Sequence, residues 1–338
     1  MARYSILDLA LVTEGSTPTD AYQRTLDLAR HAEKWGYTRY WLAEHHNMPG
    51  VASSATAVLI AAVAGATSTI RVGSGGVMLP NHSSLIIAEQ FGTLESLFPG
   101  RIDLGMGRAP GSDRLTAHAV RRGLGNSEDG FPLQVQELLT YLGPASPGQA
   151  VRAIPGEGTN VPIWLLGSST YSAALAASLG LRFAFASHFA PEQLLDALEI
   201  YRTNFQPSQW LQAPYTMVGV AAVVADTDRE AERLATTVYQ RALQLIRGGA
   251  LYSRPPVDRM DDLWSDPERM AVESRLAVAV IGSPETVTRR LAALLRETRA
   301  DELMFTSDLY HHADRLRSFE LLAGVMCCNL EDYTHQHG

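Results

Sequence analysis

The chain has 338 residues, of which 46% are hydrophobic and 19% charged, with a formal net charge of -8; this is a globular mixture and excludes disorder as the default. Basic residues are scattered, which argues against nucleic acid or an anionic membrane as partner, and Asp8 interrupts any signal-peptide core. The two cysteines are the adjacent Cys327 and Cys328, so a disulfide framework or cysteine-based zinc site is excluded and a cytoplasmic location is expected.

Residues 4–11 read as a first strand, and Thr17-Pro18 reads as a cap with proline at the first helical position. Tyr22, Leu26, Ala29 and Ala32 follow at helical spacing, and the helix ends near Trp35-Gly36. Residues 39–43 form the second strand, feeding Glu44-His45-His46, and Ser53 or Ser54 is expected to cap an alanine-rich helix through Ala66. That apolar run is too short to span a bilayer. Strand three (70–77) carries Gly73, Gly75 and Gly76, and strand four (101–105) leads into Gly107-Arg108. An excursion to residue 160 holds one helix near 133–142.

Strand five (161–166) runs into Gly167-Ser168-Ser169-Thr170 and a helix, and strand six (183–186) precedes a helix opened by Pro191. Strand seven (215–224) precedes a helix that Asp226 can cap. Residues 248–275 look like a lid or insertion, 278–281 like a short extra strand, and Ser283-Pro284 like a helix start. Residues 302–305 form strand eight, before a last helix marked by Leu316, Phe319, Leu322 and Met326. Eight strand–helix units in one domain, 1–338, predict an α/β (β/α)8 TIM-type barrel with insertions after strands four and seven. An open doubly wound sheet is the second architecture.

Active sites of such barrels lie at the C-terminal strand ends. Those ends read Glu44-His45-His46, Gly75-Gly76, Asn81-His82, Gly107-Arg108, Gly167–Thr170, Ser187-His188 and Ser307-Asp308. Arg108 is a fixed cation, and residues 167–170 offer hydroxyls and backbone N–H groups at a helix start, so a phosphate is expected there. Glycine inside strand three fits a flat ring approaching the backbone, with a bulge or tight barrel packing as the alternative. Trp41, Met78, Met106, Phe189 and Tyr310 are candidate apolar residues of the mouth. His311 and His312 are expected at the start of the last helix, His31 and His118 on the surface, and Cys327-Cys328 on a helix face.

The runs 41–46, 72–80, Ala88-Glu89, 99–108 and 300–307 resemble, in order and over nearly the whole chain, the bacterial-luciferase-like flavin monooxygenases. The resemblance implies FMN at the barrel mouth and no metal. It implies His45 as the catalytic histidine with Glu44 beside it, and Gly75 and Gly76 beneath the flavin ring, where a non-proline cis peptide is typical. Arg108 matches the phosphate-binding arginine, and Gly167, Ser168, Ser169 and Tyr171 fall in the segment completing the phosphate site. The implied reaction uses reduced FMN, supplied by a separate NAD(P)H:flavin reductase, and O2, through a flavin C4a-hydroperoxide, to oxidise a small organic substrate. His45 would stabilise or protonate that species. A homodimer through the alanine-rich helix is the expected assembly. Gly107 and Gly167 stand where luciferase carries a reactive cysteine and an acid, which speaks against light emission. The alternatives are a deazaflavin-dependent hydride-transfer enzyme, a metal-dependent barrel hydrolase using Glu44, His45, His46 and His188, and a non-catalytic flavin-binding protein.

Overall fold

Short runs of buried, β-branched residues alternate with amphipathic helices along the chain, and parallel pairing of those runs sets the architecture. The structure is a computed structural model that describes residues 2–109, 114–121 and 130–327. Its first half contains β1 (Arg3–Asp8), α1 (Pro18–Lys34), β2 (Arg39–Leu42), α2 (Thr56–Ala66), β3 (Arg71–Met78), α3 (Ser84–Leu97) and β4 (Ile102–Gly107), with α4 (Arg114–Val120) and α5 (Phe131–Leu142) in the excursion that follows. The second half contains β5 (Ile163–Gly167), α6 (Thr170–Leu179), β6 (Arg182–Phe185), α7 (Leu194–Thr203), β7 (Thr216–Val224) and α8 (Asp228–Ile246). It ends with α9 (Asp266–Arg275), β8 (Val280–Gly282), α10 (Pro284–Thr298), β9 (Glu302–Thr306) and α11 (His312–Cys327).

Strands β1 to β7 pair in sequence order, and β9 joins β7 to β1, closing an eight-stranded parallel barrel. The extra strand expected near 278–281 is β8, which extends the sheet from the distal half of β7, Ala222 facing Val280. The sequence therefore predicted the closed barrel and both insertions.

Three local expectations are corrected. Neither Ser53 nor Ser54 caps α2: Ala55 is the N-cap residue, and the buried Ser53 hydroxyl has no hydrogen-bond partner. Thr227, not Asp226, caps α8 by accepting from the Glu230 N–H, while Asp226 pairs with Arg317 at 2.8 Å. Gly73 is explained by barrel packing, not by an approaching ring, because a Cβ there would lie 2.5 Å from the Asp103 carbonyl and 2.8 Å from the Trp41 indole nitrogen. The Thr17 cap is as expected, with Thr17 and Asp20 in a reciprocal capping box.

The N-terminal end of the barrel is plugged by charge. Arg39 donates to Asp103 at 2.7 Å and to Glu302 at 3.0 Å, and Arg71 donates to Asp103 at 2.7 Å. Tyr215 donates to Glu302 at 2.9 Å, and the Ser5 hydroxyl donates to the same carboxylate. Burial pushes the Asp103 carboxyl up, but Arg39 and Arg71 outweigh it and hold the group below its ordinary range. Trp41 and Trp164 meet edge to face above this floor, 5.2 Å between centroids, and Arg39 lies over Trp164. Open volume is thereby pushed to the opposite end, where the strands finish.

Candidate functional site

That open volume is a cavity of about 480 Å³ among the C-terminal strand ends. Its lower walls are apolar, with Leu7, Trp41, Leu166, Met217 and Met304 supplied by five different strands. Of the residues predicted from sequence, His45, Gly75, Gly76, Arg108, Gly167, Ser168 and Ser169 all line it. Of the predicted mouth residues, Trp41, Met78 and Phe189 line it too, whereas Met106 is packed in the outer core and Tyr310 instead donates to the Glu14 carbonyl.

Glu44 and Tyr171, expected beside His45 and in the segment after β5, stand just outside the cavity wall itself. Glu44 lies behind it, 2% exposed. The Met78 N–H donates to its carboxylate at 3.0 Å, His82 lies 2.9 and 3.0 Å from its two oxygens, and His46 lies 2.9 Å away. Asn81 adds a contact at 3.5 Å. Burial pushes the Glu44 carboxyl up, yet the bonds from His46, His82 and Met78 prevail and hold it down to about 2. The bond to Glu44 in turn raises His46 above the usual histidine value. His46 and His82 thus bracket the carboxylate that ties the β2 end to the β3 end. The backbone N–H of His45, between these anchors, donates to the Ser53 carbonyl at 3.2 Å.

At Gly75 and Gly76 the β3 wall is bare backbone. The Gly75–Gly76 peptide is cis. A Cβ on Gly75 would come within 2.6 Å of Leu7, and one on Gly76 within 2.9 Å of the Gly105 carbonyl. Only glycine keeps this strip flat.

Across the β4 and β5 ends, Arg108 joins Ser168 and Ser169. Ser169 is the N-cap residue of α6, and no side chain caps that helix start. The first N–H groups of a helix carry positive partial charge and favour an anion. Tyr171 contributes by its ring, 4.2 Å from the Arg108 guanidinium. Gly167 allows close packing of β5 on α6, since a Cβ there would lie 2.5 Å from Ser172. Residues 110–113 of the glycine-rich segment after Arg108 lie outside the described residues, as does Cys328.

The opposite wall holds groups to which the sequence reading gave no flavin role. His188 follows β6 and fits because β7 carries Gly219, where a Cβ would come within 2.4 Å of its Nδ1. Burial, aided by the charges of Arg275 and His45, pulls the His188 imidazole down to about 4, so it is neutral near pH 7. Arg241 of α8 is 8% exposed and pairs with Asp308 at 3.1 Å. Residues 248–275 strap across this side: the Glu14 N–H donates to the Ser253 carbonyl at 2.8 Å and the Gly50 N–H to the Ala250 carbonyl at 2.9 Å. Leu251 and Arg275 of the strap reach the cavity. An apolar strand interrupted by Gly219, opposite a strand ending in Ser187-His188, was the available signal for that histidine. Among the described residues there is no group of three or more His, Cys, Asp or Glu arranged to hold a metal ion. Among the same residues no helix is long and apolar enough to cross a membrane.

Comparison with known proteins agrees with this geometry. A Bacillus subtilis protein named YvbT is 56% identical over 95% of this chain and 96% of its own length. An Escherichia coli protein described as a luciferase-like monooxygenase is 52% identical with the same coverage. The crystal structure of apo-MsnO8 superposes with a TM-score of 0.85 at 35% identity, covering 96% of this chain and 98% of that one. At 20% identity the fold alone extends, with a TM-score of 0.70, to the oxygenating constituent of 3,6-diketocamphane monooxygenase from Pseudomonas putida in complex with FMN, over 96% of this chain and 97% of that one. The luciferase-like monooxygenase family pattern matches residues 3–302, and the chain accordingly belongs to that family of oxidoreductases.

Proposed function

We propose that the chain is an FMN-dependent monooxygenase acting on a small organic substrate, the cavity binding the flavin phosphate at Arg108 and the flavin ring along Gly75–Gly76. The observation that carries this reading is one cavity with a cation and an uncapped helix start at one end and side-chain-free backbone at another. When bound, reduced FMN from a separate NAD(P)H:flavin reductase would supply the two electrons by which one atom of O2 enters the substrate and the other leaves as water. Arg108 and the Ser168–Ser169 backbone hold the phosphate, and the glycine strip admits the ring. The imidazole of His45 holds and returns a proton at the reacting face. Leu7, Met217 and Met304 exclude water. The flavin-bound neighbour makes FMN the first cofactor to test.

Arg108→Ala removes a charged donor from the phosphate but leaves the ring site intact. It should weaken FMN by about 10- to 100-fold, the equivalent of a charged hydrogen bond of about 1.5–3 kcal/mol, with riboflavin affinity unchanged. Fluorescence titration with both flavins decides: equal losses for the two would place the phosphate elsewhere.

The exposed Val58 of α2 and Ile86 and Leu97 of α3 form an apolar outer face, and α2 is apolar all round its circumference. A second copy of the chain is the proposed partner there. Sedimentation should give twice the chain mass, and Val58→Glu should return it to one.

A further inference from the structure

The cavity wall carries three cations and one anion. Its charged residues are Arg108, Arg241, Arg275 and Asp308, accompanied by the titratable His45 and His188. Arg241 is satisfied by Asp308 at 3.1 Å and by the Leu251 carbonyl. Arg108 serves the helix-start anion site. Arg275 remains. It ends α9 with its guanidinium 5.7 Å from the Phe189 ring centroid. Among the described residues no carboxylate lies within the 4.0 Å of an ion pair, and Glu192 acts on it only at longer range. A half-buried cation without a counter-ion costs free energy in the empty protein, and an anionic ligand recovers it.

The surroundings of Arg275 follow from ring contacts. The Phe189 ring that it faces stands edge-on to the His188 ring at 4.8 Å, so Arg275 is grouped with His188, and it belongs to a different element from Arg108, Ser168 and Ser169. Leu245, Leu251 and Leu276 add apolar wall to the same cavity.

We propose that the substrate is an organic acid with an apolar body, its carboxylate held by Arg275 beside His188 and its body lying along Leu251, Met217 and Met304 towards His45. This rests on the flavin reading in one respect, that Arg108 is reserved for the phosphate. The guanidinium supplies paired donors to the carboxylate, while His188, being neutral, adds no charge of its own and can donate from one ring nitrogen.

The test uses the full chain without flavin and two probes of equal length, octanoate and 1-octanol, titrated by calorimetry. Octanoate should bind about 10- to 100-fold more tightly, the range of a charged hydrogen bond. Arg275→Gln should erase that preference, Arg275→Lys should keep part of it, and Arg108→Ala should leave it intact. Melting curves of the variants establish that they are folded. Equal affinity for the two probes, or a preference that survives Arg275→Gln, overturns the proposal. So does a loss of FMN rather than octanoate in Arg275→Gln, which would give Arg275 to the flavin phosphate. Failure of the wild-type chain to bind FMN would instead sink the flavin reading, and the octanoate comparison would still decide the role of Arg275.

Discussion

His45→Ala should lower substrate oxidation by about 10²- to 10⁴-fold, the usual contribution of a placed acid–base group, with FMN affinity almost unchanged. The imidazole lines the cavity, but the anion site and the glycine strip that would hold the cofactor lie on β3, β4 and α6. Loss of His45 therefore affects proton handling more than binding. Under the proposed reading, electrons supplied by a reductase should then leave as hydrogen peroxide, so the ratio of product to NAD(P)H consumed would fall. An unchanged ratio would remove His45 from the chemistry.

Glu44→Gln is expected to act on stability first. Displacement of the carboxyl from 4.5 to about 2 corresponds to about 3 kcal/mol at about 1.4 kcal/mol per unit. A group whose folded value is depressed contributes fully above its unfolded value, and its contribution fades as pH falls from 4.5 towards 2. His46 is raised from 6.5, so its contribution is complete below that value and fades as pH climbs through the folded one. The two overlap in mildly acidic to near-neutral solution. Urea unfolding at pH 7 and pH 3 checks the sign: both proteins should lose stability between them, because Asp103 and other depressed carboxylates remain, and the wild type should lose more than the glutamine variant. Under the proposed reading Glu44 would position His45 by tying the end of β2 to the end of β3, so kcat should drop while the KM for substrate holds. An equal collapse of FMN affinity would contradict that division.

The barrel was legible because its strands are buried on both faces and read as apolar runs, each followed by a helical period. The strand ends were equally legible where polar residues broke such runs, which exposed His45, Gly75, Gly76, Arg108 and Ser168–Ser169. Arg241 and Arg275 escaped for a physical reason. Both sit on helices, which a barrel sequence assigns to the outer layer, and their reach into the cavity depends on how 248–275 straps across the mouth. Helical periodicity carries no information about that docking. Glu44 was read as the partner of His45, but adjacency in sequence could not reveal that its oxygens face His46 and His82. The capping error at α8 is a shift of one residue, decided by which side chain sits three residues before a free N–H, whereas α2 begins at Ala55 with no side-chain cap at all.

The ionic floor of Arg39, Asp103 and Glu302 has a kinetic consequence. It makes the barrel a blind alley, and traffic in a blind alley is sequential. Whatever seats deepest must arrive first and depart last. Under the proposed reading the flavin ring lies against the strand wall and the acid arrives after it, past Leu251 and Arg275. Oxidised product must then clear the mouth before spent flavin can be exchanged with the reductase, so turnover would be paced by an ordered queue through one doorway.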